Sequence, residues 1–104
     1  MKLNPQTKKL VPSEKDTRKQ IRAYLKALGV AFWHNMGGAL SYRGLPDLEG
    51  VHRGKHFYIE IKSPIGKLSK HQENFKEMVE REGETVIVAH SFEEFEETWE
   101  RFIG

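Results

Sequence analysis

The stretch GLPDLEGVHRGKHFYIEIKSP, residues 44–64, decides the fold. Its second half alternates: Phe57, Ile59 and Ile61 fall on one face of a strand, and Tyr58, Glu60 and Lys62 on the other. Its first half reads as a partner strand, with Gly54-Lys55 between them. Glycine at the first central position of a two-residue loop suits a type II′ turn. The segment therefore predicts a hairpin of Asp47–Arg53 and His56–Lys62. Counting outward from Arg53 opposite His56 sets Asp47 opposite Lys62 and diagonal to Glu60 on the same face, within reach of a shared ion. Glu49 falls on that face as a bystander.

Toward the N-terminus, MGGALSYRG (36–44) is a glycine-bearing loop and Val30–Asn35 a short strand. Before them Ser13 reads as a helix N-cap, with Glu14 and Asp16 in the first turn, where the helix dipole favours acids. The stripe Ile21, Tyr24, Leu25 and Leu28 has helical period, and Gly29 stops it. Residues 1–12 hold two prolines and no periodicity, an extended basic arm that leaves 13–104 as one domain.

Toward the C-terminus, Ser63-Pro64 ends the hairpin. Ser69 with Gln72 is a capping box opening a second helix with stripe Phe75, Met78 and Val79, which stops at Gly83. Thr85–Ala89 (TVIVA) is continuously apolar, as in a buried parallel strand. Ser91 with Glu94 starts a last helix carrying Phe92, Phe95, Trp99 and Phe102. The first three strands form an antiparallel meander. The strand after the second helix needs a crossover and must pair in parallel. The expected fold is α/β: a mixed four-stranded sheet flanked by helices, with a further helix at the C-terminus.

A chain of 104 residues has room for one core. With no cysteine it has neither disulfide nor thiolate metal site. No apolar run is long enough for a bilayer and no signal segment opens the chain, so no membrane is expected and the cytoplasm is the expected compartment. The net charge of +2 hides a segregation: residues 1–30 carry eight Lys/Arg against two acids, and residues 73–104 carry three against ten. Solvated helix faces account for single charges, but the segregation favours a polyanion at the basic end. The glycines match no Walker or dinucleotide fingerprint, so no nucleotide cofactor is expected, and the histidines show no metal-ligand spacing.

Two carboxylates converging beside a lysine are costly to hold without a cation. Asp and Glu oxygens suit Mg²⁺, which keeps waters that a phosphate can replace. An adjacent ammonium can hold or deprotonate the attacking water, or neutralise charge developing on phosphorus. That is the chemistry of phosphodiester hydrolysis.

Pro46-Asp47 followed by Glu60-Ile61-Lys62 resembles the PD-(D/E)XK nuclease signature, and the αβββαβ order is similar to that superfamily's restriction-endonuclease-like core. Lys62-Ser63-Pro64 running into Gly66-Lys67-Leu68-Ser69 and Gln72, with Ser13-Glu14 opening the first helix, resembles the virus-type replication-repair nuclease branch, VRR-NUC. The resemblance covers about residues 13–90. It implies a Mg²⁺- or Mn²⁺-dependent endonuclease with Asp47, Glu60 and the backbone carbonyl of Ile61 on the metal. Glu14, Asp47, Glu60, Lys62 and Gln72 make up the implied catalytic set. Glu14 also has a dipole explanation, and Gln72 a capping one; both readings stand. Arg18 and Arg22 of the first helix, Tyr42 and Arg43 of the loop, and Lys67 and Lys70 are the expected DNA contacts.

The chain's brevity resembles the standalone virus- or phage-encoded members, implying a homodimer that resolves Holliday junctions in repair or recombination. Two-fold symmetry suits a four-way junction. Phe92, Phe95, Trp99, Phe102 and Ile103 supply apolar material for an interface, beside their use in a core. Flap, fork or non-specific cleavage, a non-cleaving DNA-binding module, and a protein-interaction domain are the alternative readings.

Overall fold

Ser13 Oγ accepts the Asp16 N–H and the Asp16 carboxylate accepts the Ser13 N–H, both at 3.1 Å. This capping box starts helix α1, Glu14–Ala27, in the computed structural model, which describes residues 11–37 and 42–104. The expected arm lies largely outside the described residues, as does part of the 36–44 loop. Gly29 ends α1 at φ +71°, a left-handed position natural to glycine. Strands β1 (Ala31–His34), β2 (Leu48–His52) and β3 (Lys55–Ile61) follow, then α2 (Lys70–Arg81), β4 (Thr85–Ala89) and α3 (Phe92–Ile103). A second reciprocal capping box, Ser69 with Gln72, opens α2, and Ser91 Oγ caps α3 by accepting the Glu94 N–H.

The sheet order is β1-β2-β3-β4, antiparallel for the first two pairings and parallel for β3 with β4. The expected mixed four-stranded α/β architecture is therefore the observed one. β4 is an edge strand rather than an interior one. Its apolar run is explained by helices on both faces, and Val86, Ile87 and Ala89 are buried. No helix among the described residues is long and apolar enough to cross a membrane.

The hairpin differs from expectation in its turn. His52 pairs with Lys55, so Arg53-Gly54 is the loop, and both residues have positive φ (51° and 79°). That is the type I′ pattern, not II′. The resulting register puts Gly50 opposite Phe57. A Cβ on Gly50 would lie 2.6 Å from the Phe57 ring, so the glycine makes room for that ring, which packs edge-on at 5.0 Å against Trp99. The change moves each β2 residue's partner by two positions. An even shift leaves every side chain on its expected face.

One sheet face carries the main core: Ile21 and Leu25 of α1, Leu48, Phe57, Ile59 and Ile61 of the sheet, and Phe95 and Trp99 of α3. Phe92, Phe102 and Ile103 pack against the same cluster. Of the two uses expected for the α3 apolar residues, the core takes Phe95 and Trp99 fully, and Trp99 contacts Phe57, Phe95 and Phe102. On the other face Phe75 of α2 covers Tyr58 at 5.2 Å. Trp33 and Val51, on the β1–β2 half of that face, stay 46% and 38% exposed.

Candidate active site

Extending the Leu48↔Ile59 pairing by one step sets Asp47 directly opposite Glu60, not Lys62. The Lys62 N–H donates to the Ala89 carbonyl at 2.9 Å, so the even-numbered residues of β3 turn their backbone groups toward β4. The odd-numbered ones face β2. Asp47 and Glu60 therefore form a non-hydrogen-bonded pair, the kind in which facing side chains come closest.

The same register sets Ile61 opposite Pro46. Proline has no N–H, so the Ile61 carbonyl loses its ladder donor. The Ile61 N–H donates instead to Asp47 Oδ2 at 2.9 Å. Asn35 holds the other side: its N–H donates to the Asp47 carbonyl at 2.9 Å, and its side-chain amide to the Pro46 carbonyl at 3.1 Å. The Pro-Asp dipeptide thus ends the ladder, aims the aspartate across it and leaves a carbonyl oxygen beside it.

Glu60 is only 4% exposed. Burial, then the Asp47 charge and a hydrogen bond with Asp47, push its pKa up to about 8, against a partial offset from Lys62. Lys62 Nζ is 3.8 Å from Glu60 Oε2. Two facing carboxylates, one of them nearly free of solvent, mark a place where negative charge lacks compensation. Two carboxylates and one carbonyl are hard oxygen donors and fit Mg²⁺ or Mn²⁺, with waters completing the shell. Among the described residues, no group of three or more His, Cys, Asp or Glu side chains is placed to hold a metal. The hard oxygen donors brought together here are the Asp47 and Glu60 side chains and the Ile61 carbonyl.

Glu14 begins α1 with its carboxylate 3.2 Å from Arg18, whose guanidinium lies 3.7 Å from Asp47 Oδ1. The partner of this acid is an arginine, and through that arginine it reaches the site. The buried stripe of α1 starts at Thr17. Arg18 and Arg22, with Lys15 and Lys19, line a groove of about 530 Å³ on one face of α1. Gln72 Oε1 accepts the Ser69 N–H at 2.8 Å, which gives its capping role. Lys67 and Lys70 are exposed on the loop after β3 and the start of α2. Tyr42 and Arg43 share with Asn35 and Asp47 the walls of a cavity of about 280 Å³. The loop holds this place through Gly44, whose φ is +83° and whose missing Cβ would sit 2.1 Å from the His71 carbonyl oxygen.

Three features escaped the sequence reading. Asn35 was legible only through the β1–β2 register, which sets it beside Asp47. His90 pins the loop after Lys62, its Nε2 2.9 Å from the Gly66 carbonyl and its Nδ1 3.0 Å from Glu94. Glu49, expected as a bystander, binds His56 Nε2 at 2.6 Å while Glu84 binds Nδ1 at 2.7 Å. Burial lowers the His56 pKa, but the two carboxylates outweigh it and the net shift is upward.

No family model and no curated protein matches the chain.

Proposed function

We propose that this protein is a Mg²⁺- or Mn²⁺-dependent DNA endonuclease of the VRR-NUC type, cutting branched DNA, with the four-way junction as the substrate of a homodimer. The observation that carries the reading is the Asp47–Glu60 pair beside Lys62, with the Ile61 carbonyl stripped of its ladder partner by Pro46. Asp47, Glu60 and that carbonyl would hold the ion, which supplies Lewis-acid activation of the phosphate and of a water. With the Glu60 charge so compensated, the Lys62 ammonium would hold the attacking water or meet charge on the phosphate oxygens. Arg18, tied to Glu14, steadies Asp47 from the helix side. The basic face of α1, with Lys67 and Lys70, offers a phosphate track.

The test is cleavage of duplex, single strand, 5′ flap, fork and four-way junction, with and without divalent metal. Metal-dependent nicking that is lost in Lys62→Ala is the expected result. Full activity in excess EDTA, or in Lys62→Ala, would end this reading, and binding without nicking in Mn²⁺ would favour a non-cleaving module. Light scattering at micromolar concentration tests the dimer separately. A monomeric mass with preference for flaps would remove the resolvase assignment but keep the nuclease.

A further inference from the structure

Beside the Asp47 cavity lies a larger groove of about 620 Å³, between Tyr42-Arg43 and the outer face of α2. The two cavities meet at Tyr42 and Arg43, which line both. Tyr42 packs at 62° against Phe75, ring centroids 5.7 Å apart, and its hydroxyl is 3.5 Å from the Met78 sulfur. The ring is thus held by its neighbours yet 60% exposed, an aromatic surface that nothing else among the described residues covers. Asn74 and Glu77, three residues apart on α2, line the same groove. One offers an amide donor and acceptor, the other an acceptor for an amino group, the complement of a nucleobase edge. Arg43, whose guanidinium is 3.4 Å from His71, and Arg81 add positive charge along the groove.

A stacking surface, edge-recognising groups and flanking cations together describe a nucleotide site, and the volume falls in the range of about 300–1,000 Å³ usual for ligand pockets. A base inside a duplex has both faces covered by its neighbours and its edge paired. Only an unpaired base can use such a surface. We infer that this groove takes the base of one unpaired nucleotide adjoining the phosphate at Asp47, so that branched DNA is recognised through a base displaced at the branch. The inference rests on the nuclease reading for the identity of the polyanion.

The test uses the full chain in EDTA, where nothing is cut, and DNA forks carrying 2-aminopurine at successive unpaired positions next to the branch. One position should show a fluorescence change on binding that its neighbours lack. Tyr42→Ala should abolish the change and weaken fork binding about tenfold, the loss expected for one base–aromatic stack, whereas Tyr42→Phe should retain both. Asn74→Ala should reduce the change while leaving the circular dichroism spectrum of the protein as it was. Equal signals at every position, or wild-type behaviour of Tyr42→Ala, would overturn the groove assignment. A position-specific signal without cleavage in Mg²⁺ would keep the groove and remove the nuclease. Cleavage without that signal would do the reverse.

Discussion

Replacing Glu60 by glutamine should make the metal-free protein more stable at alkaline pH. With a pKa raised from 4.5 to about 8, the folded protein keeps a proton that the unfolded chain releases. Wild-type stability is therefore full below pH 4.5 and falls as pH rises toward 8. At about 1.36 kcal/mol per pKa unit the ceiling is near 5 kcal/mol. Asp47 beside it is 32% exposed, and solvent screening reduces the figure to roughly 2–3 kcal/mol. Glutamine keeps the shape and removes the titration. Urea denaturation in EDTA at pH 5 and pH 8.5 reads the difference directly. The variant should gain roughly 2–3 kcal/mol on the wild type between the two, or about 10–20 °C in Tm for a domain of this size. His56, also raised, slopes the same way in both proteins, so its contribution cancels in the comparison. Mg²⁺ at pH 8 should raise the Tm of the wild type and not that of the variant. A wild-type to variant difference that does not change with pH would refute the buried-carboxylate argument.

Asp47→Asn should abolish cleavage while DNA binding stays or tightens, since it would remove a ligand of the proposed ion and a repulsive charge; a parallel loss of binding, read by anisotropy, would make Asp47 structural. Reversing charge at Lys67 and Lys70 together should flatten the salt dependence of binding by roughly 0.9 log units per lost phosphate contact, and an unchanged slope would put the DNA track elsewhere. Thr17→Val should stabilise the protein by about 1 kcal/mol in urea melts, because the Thr17 hydroxyl is fully buried with no hydrogen-bond partner among the described residues. Gly44→Ala should destabilise by more than about 1 kcal/mol, since a Cβ there meets the His71 backbone, and it should lower fork binding by displacing Tyr42.

Much of the fold was written locally. Capping boxes and glycine stops depend on residues three or four apart, so Ser13, Ser69, Gly29 and Gly83 marked the first two of the three helices from the sequence. The two-residue period of a strand is equally local, which is why Asp47, Glu60 and Lys62 could be placed on one face before any pairing was known. The partner of each residue is not a local property. Arg53-Gly54 wins over Gly54-Lys55 because that register lets Gly50 make room for the Phe57 ring against Trp99, a contact that spans three elements. Only that register sets Asp47 against Glu60 and leaves the Ile61 carbonyl facing a proline. Burial is likewise decided by what packs where: it keeps Glu60 nearly free of solvent and draws the α3 aromatics into the core. The sequence by itself determined the elements and the face the charges occupy. The tertiary structure decided which charges meet, because register and desolvation arise from contacts between residues far apart in the chain.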